Sequence, residues 1–281
     1  MKLQLLILLL TTIQLKAQID LKFDKRFVEC EDKWVAFKMD KDSAYIYGFI
    51  YIDEAAGFTF NREGSFKLKS NDSFEVEKLK DASIKIRLSP NNVRVAIIPN
   101  SLYKDLQIDS VPEWLKHYQT NLNSISRLYR WGFLYNGWNE CEKALVFLLK
   151  ANEINANHKG LAVELAYSYN CLKDYKNALV VLEKAILQDS TNDYINKELI
   201  YTLIKTNDID KAIQQYKQSV KNKIETTHHA ENCYNILGYY YEQKDLKNFK
   251  TWKKELKKWP NSNEKIPQYV KLMEKELKLI N

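Results

Sequence analysis

Four histidines and four cysteines are the side chains of this 281-residue chain best suited to metal binding or nucleophilic chemistry. His117, His158, His228 and His229 include no HExxH pattern, which would put two imidazoles and a carboxylate on one helical face. No GxSxG elbow, GxGxxG turn or P-loop is present. With only 7 Gly and 5 Pro, the chain has little material for a phosphate-cradling loop. The adjacent pair His228-His229 falls in a loop without flanking ligands and reads as an exposed pair, not a metal centre. These residues predict a non-enzymatic protein without catalytic residue, cofactor or metal. Cys30, Cys141, Cys171 and Cys233 form no CxxC and no zinc-like spacing with histidine. Spacing alone does not choose between buried single thiols and a Cys141–Cys171 bridge. The compartment matters here, because disulfides persist only in oxidising ones.

The compartment is legible at the start of the chain. Residues 1–17, MKLQLLILLLTTIQLKA, place Lys2 before an apolar run from Leu3 to Ile13 and end on the small Ala17. That is the pattern of a secretory signal peptide, cut between Ala17 and Gln18. The run is too short to span a bilayer, which takes ~20 apolar residues. The first cysteine after the cut is Cys30, so a lipid-anchored form is not expected. No later stretch reads as a transmembrane span. The expected location is periplasmic or extracellular. Cleavage removes Lys2 and Lys16 and leaves a net charge of +5, mildly basic, which assigns no partner.

The elements change character near residue 110. Scarce Gly and Pro, roughly 4% together against an average near 12%, favour long helices over loops. Before that point the pattern has period two. Lys33 to Met39 and Tyr45 to Ile52 read as strands across a turn at Asp40–Ser43. Phe58-Thr59-Phe60 and Ser65–Lys69 read as a hairpin around Asn61-Arg62-Glu63-Gly64. Ser83–Leu88 and Val93–Ile97 read as another around Pro90-Asn91-Asn92. Residues 18–100 therefore predict a small antiparallel β sandwich or barrel. Residues 101–122 form a connector in which Pro112 opens a short helix.

A 34-residue self-similarity dominates the rest of the chain. Ala144, Ala178 and Ala212 are 34 apart; Gly132, Ala166 and Ile200 precede them by twelve. Tyr135, Tyr169 and Leu203 precede by nine, and Ala151, Ala185 and Ser219 follow by seven. Two antiparallel helices per repeat need small residues where they cross. The strings Lys173–Ala178, Asn207–Ala212 and Lys244–Phe249 each mark a turn into a second helix. The last is displaced by about three residues, which places an insertion near Glu225–His229. Residues 263–281, with Ile266, Val270, Met273, Leu277 and Ile280 on one side, suit a helix capping a stacked array.

Residues 123–262 thus resemble the tetratricopeptide repeat (TPR) family, in about four copies. The usual proline at each repeat end is replaced by Ala156 and Ser190. With its β domain in front, the chain resembles exported bacterial members of that family. The resemblance implies an α-helical solenoid whose first helices line a concave face. It assigns to that face Tyr129, Phe133 and Asn136; Val163, Tyr167 and Asn170; Tyr194, Lys197 and Tyr201; and Tyr234 and Tyr241. Tyrosine offers broad contact area with an orienting hydroxyl. Lys197 and Asn136 do not match the carboxylate clamp of chaperone-tail binders, so that activity is not carried over.

The expected function is an interaction scaffold gripping a protein or peptide segment. The alternative is an envelope polysaccharide- or anionic-polymer-binding protein using the β domain or a basic C-terminal face. From Lys244 to Lys278 there are 11 lysines against five acids, and Lys247, Lys250, Lys254 and Lys257 share a helix face. Arginine, which binds phosphate bidentately, is absent there. With export, that argues against nucleic acid.

Overall fold

A computed structural model describes residues 21–38, 44–69, 73–79, 83–222, 228–260, 263 and 265–279. The leader at 1–17, the turn at Asp40–Ser43, most of the insertion near 225–229 and Ile280 lie outside the described residues. The chain divides into two compact units, one running to Glu113 without residues 53–57, the other from Trp114 onward with 53–57.

The first unit is built on an antiparallel sheet of six strands: β1 (Lys33–Ala36), β2 (Tyr45–Asp53), β3 (Gly57–Leu68), β4 (Phe74–Lys78), β5 (Ile84–Arg87) and β6 (Ala96–Ile97). Their order is β4-β3-β2-β1-β6, with β5 also on β3, so the sheet is open and does not close into a barrel. Aromatic side chains fill its core. Trp34 meets Phe49 edge-on at 5.1 Å between centroids, and Tyr47 meets Phe66 at 5.6 Å. The Trp34 indole donates to the Asp109 carbonyl at 2.8 Å, which ties residues after the sheet to its core.

Two expected hairpins are corrected. Residues 61–64 are not a turn, because β3 runs straight through them. It pairs with β5 over Thr59–Arg62 and with β4 over Gly64–Leu68. Gly64 is needed for close approach rather than for turning: a Cβ there would lie 2.2 Å from the Glu77 carbonyl oxygen. Nor do residues 83–88 pair with 93–97. β5 joins β3, whereas β6 joins β1 in the register Val35↔Ile97 and Ala36↔Ala96.

In the second unit eight helices form four pairs. They are α1 (Ile125–Gly137) with α2 (Cys141–Ile154), α3 (Leu161–Cys171) with α4 (Tyr175–Gln188), α5 (Asp193–Lys205) with α6 (Ile209–Lys221), and α7 (His229–Glu242) with α8 (Leu246–Leu256). A ninth, α9 (Lys265–Glu276), follows and buries Ile266 and Val270. Among the described residues no helix is long and apolar enough to cross a membrane. Each pair turns in the same way. Asn139, Lys173, Asn207 and Lys244 take the left-handed conformation that ends a helix, with φ between 55° and 63°. Asp174, Asp208 and Asp245 then cap α4, α6 and α8 by accepting from the backbone N–H three residues on.

The repeated small residues sit at the crossings. Ala144, Ala166, Ala178 and Ala212 are fully buried. A Cβ on Gly132 would lie 2.4 Å from Leu148, so α1 and α2 can pack at this distance only with glycine there. Phe249, which takes the alanine position in the displaced copy, is fully buried as well. Ala178→Leu should therefore overpack the α3–α4 crossing and cost ~1–3 kcal/mol. A thermal melt indistinguishable from wild type would contradict this packing.

Candidate functional site

Besides packing on its own second helix and on the second helix of the preceding pair, each first helix touches the first helix of the next pair: α1 with α3, α3 with α5, α5 with α7. Among the described residues no comparably close approach links consecutive second helices. The first helices therefore form the inner side of the array, and most residues expected on the binding face lie along it.

Tyr167 of α3 and Tyr201 of α5 border one cavity of about 230 Å³, together with Lys197, Glu198 and Glu231. Tyr201 also borders a second cavity of about 210 Å³, with Tyr234, Tyr239 and Met273. Tyr201 is a wall of both cavities, which follow one another along the first helices from α3 to α7, the second also reaching Met273 of α9. Burial holds the Tyr167 phenol above its ordinary pKa, and the charge of Glu198 adds to the effect. Tyr201 is raised in the same direction by burial and by Tyr175. Both phenols stay protonated at neutral pH and can donate hydrogen bonds.

Charge in the groove centres on Lys197. Its ammonium lies 3.4 Å from Glu198 and 3.7 Å from Glu231. Burial works against that charge, but the two carboxylates outweigh it and hold the lysine above its ordinary pKa. Lys197 is thus the counterion of two carboxylates that the repeat pattern by itself did not single out.

Asn136 and Asn170, expected to face a partner, are buried and engaged internally. Asn136 Nδ2 donates to Glu164 Oε2 at 2.8 Å, and Ser168 Oγ donates to Asn136 Oδ1 at 2.7 Å. One repeat later Asn170 Nδ2 donates to Glu198 Oε2 at 2.9 Å, and Thr202 Oγ1 donates to Asn170 Oδ1 at 2.9 Å. The same clasp recurs at a spacing of 34, and each copy joins one first helix to the next. Glu164 with Glu198, and Ser168 with Thr202, carry the 34-residue period in the sequence; that signal would have found them. The clasp stops at Ile204, where the third copy has no amide.

Burial pushes the Glu164 carboxyl above its ordinary pKa; the Asn136 hydrogen bond opposes this and the charge of Glu198 adds to it. A carboxyl raised on folding adds stability below its unfolded value near 4.3, and that contribution disappears as pH rises through the folded value. Glu164→Gln keeps an acceptor for Asn136 without the charge. It should melt higher than wild type at pH 7, and the difference should shrink as pH falls through the carboxylate range. Melting curves that stay parallel from pH 7 to pH 4 would refute this account.

The remaining face residues are spread over α1, α3, α5 and α7. Phe133, 42% exposed, lies 5.3 Å from the Arg130 guanidinium, and the Tyr129 ring meets His158 at 5.0 Å. Val163 is half-buried on α3. Tyr194, 57% exposed, stacks edge-on with His228 at 4.7 Å. Tyr241 donates its hydroxyl to Glu276 of α9 and so helps to fasten the last helix.

The two histidines are not exposed in a loop. His228 lies 3.8 Å from Asp193 and 3.7 Å from Glu231. His229 begins α7 and is buried, its ring 4.5 Å from that of Trp259. Packing against Trp259 and against Tyr216 of α6, 5.9 Å away, draws it inward. Among the described residues no group of three or more His, Cys, Asp or Glu side chains could hold a metal ion.

Two of the four cysteines are bridged. Cys141, at the start of α2, is joined to Cys171, at the end of α3, with their Cα atoms 6.3 Å apart. Cys171 borders the first groove cavity, so the bridge fixes one groove wall to the preceding pair. Cys30 and Cys233 remain thiols and are buried. No protein-family model matches this sequence, and no curated protein matches it.

Proposed function

We propose that this chain is an exported, non-enzymatic interaction scaffold. Its helical unit would be a divergent tetratricopeptide-type solenoid that holds a peptide or protein segment along its inner face. The observation that carries this reading is the row Tyr167, Tyr201 and Tyr234 on three consecutive first helices, bordering two cavities that share Tyr201 as a wall. Aromatic rings on a rigid backbone bind with little loss of side-chain freedom, and central aromatic anchors dominate interface energetics. Lys197, Glu198 and Glu231 add donors and acceptors suited to a peptide main chain. The recurrence of buried small residues every 34 positions supports the repeat assignment. The Cys141–Cys171 bridge suits an oxidising compartment and therefore removal of residues 1–17 during export.

The test is capture from an envelope fraction by the mature protein, followed by titration of the identified partner. Tyr167→Ala and Tyr201→Ala should each weaken binding by ~2 kcal/mol, about thirtyfold in Kd. Their melting curves should stay near wild type. The rival site is the basic face of α8, where Lys247, Lys250, Lys254 and Lys257 are all exposed. If Lys250→Glu with Lys254→Glu abolishes capture while the tyrosine variants bind like wild type, the groove reading fails and an anionic polymer becomes the partner.

A further inference from the structure

We propose that the β unit carries a second site, a cleft for a single-chain aliphatic carboxylate. The cleft is a cavity of about 350 Å³ between β3, β5 and the segment that follows β5. This size lies at the lower end of the range for small-molecule pockets, about 300–1,000 Å³. The rings of Phe37 and Phe60 form its floor, edge-on at 5.0 Å. Phe60 can lie over β2 because residue 48 is glycine: a Cβ there would be 2.7 Å from the Phe60 ring. Ile84 and Ile86 form the outer wall. They are 38% and 49% exposed on a strand whose other residues are also exposed, so the wall opens to solvent. Apolar side chains left exposed beside a cavity are what an alkyl chain would cover.

The charge of the cleft identifies the other end of the ligand. Arg62, on the same face of β3 as Phe60 and paired with Ile84, lines it, and no Asp or Glu does among the described residues; Arg87 points to the opposite face of β5. The Nε of Arg62 is buried and has no hydrogen-bond partner among the described residues. A guanidinium whose Nε is removed from water beside phenylalanine and isoleucine bears a desolvation cost that an anionic group would offset. A carboxylate matches the guanidinium fork in two parallel hydrogen bonds. A sugar fits less well, because Ser89 and Asn91 are the only uncharged polar residues of the described lining, both at one end. The complement is therefore one anionic head at Arg62 with one apolar arm over the phenylalanines. This site is independent of the helical groove.

The probe is decanoate, titrated calorimetrically into the full chain, with decan-1-ol, decyltrimethylammonium and decyl phosphate as comparisons. Decanoate should bind saturably with one site. Decanol should bind at least tenfold more weakly, the ammonium should not bind, and the phosphate should bind more weakly than the carboxylate. Arg62→Met should weaken decanoate at least fivefold and leave decanol unchanged, Arg87→Gln on the opposite face of β5 should bind both like wild type, and Ile86→Ser should weaken both the acid and the alcohol. Absence of decanoate binding, equal binding of acid and alcohol, or unchanged decanoate affinity in Arg62→Met would each overturn the proposal. Tighter binding of decyl phosphate than of decanoate would overturn the carboxylate assignment.

Discussion

Replacing Cys141 and Cys171 together by serine should lower the unfolding free energy by about 3–4 kcal/mol. The bridge closes a loop between residues 30 apart, and a cross-link of that span removes about this much conformational freedom from the unfolded chain. The loop contains the α2–α3 connection, so without the bridge the first helix pair relies on packing and on hydrogen bonds such as the Asn136–Glu164 clasp. The check is a denaturant titration with and without reductant. Reduced wild type should fall to the midpoint of the double mutant, and the double mutant should ignore reductant. Thiol counting gives an independent reading. Cys30 is buried, and burial pushes the Cys233 thiol up to about 12, so neither should react in the folded protein. Denatured, unreduced protein should expose two thiols; four would show that the bridge does not form.

Lys197→Met should cost about 2–3 kcal/mol, more than its half-buried position suggests. Glu198 beneath it is only 5% exposed, and removing the ammonium leaves that carboxylate without a cation. Breaking a buried pair costs about 3–5 kcal/mol, less here because the Lys197 side chain keeps some exposure to water. Adding Glu198→Gln should restore most of the loss, since a neutral amide needs no counterion and still offers an acceptor to Asn170. If the double variant is no more stable than Lys197→Met alone, the charge account is wrong and the lysine stem contributes through packing. The pH dependence carries a matching sign. Because the folded lysine is held above its unfolded value near 10.4, its contribution is fully present below that pH and fades as pH rises through the folded value.

The helical unit was legible in the sequence because its determinants are local and periodic. Ala144, Ala178 and Ala212 mark crossings that any two closely packed antiparallel helices require. The Lys-Asp and Asn-Asp steps at 173–174, 207–208 and 244–245 encode one turn, a left-handed residue followed by a cap. The β unit was legible as a set of strands but not in their arrangement. Alternation in Ser83–Leu88 says that two faces differ; it does not say whether the neighbour is β6 or β3. Asn61-Arg62-Glu63-Gly64 has the composition of a turn, yet Gly64 is there because the Glu77 carbonyl comes too close for a Cβ.

The groove shows the same division. Its tyrosines follow from the period, since residues 34 apart on stacked helices share a face. Tyr167 and Tyr201 accordingly border one cavity. Asn136 and Asn170 share that periodicity, and only the three-dimensional stack decided that they turn inward to Glu164 and Glu198. A repeat position specifies the direction of a side chain on its own helix. Whether that direction meets solvent or a carboxylate depends on the next helix, 28 residues further on. The Cys141–Cys171 pairing and the placing of Ile84 and Ile86 against Phe60 and Arg62 were decided in the same way, by contacts between segments whose sequence separation carries no signal.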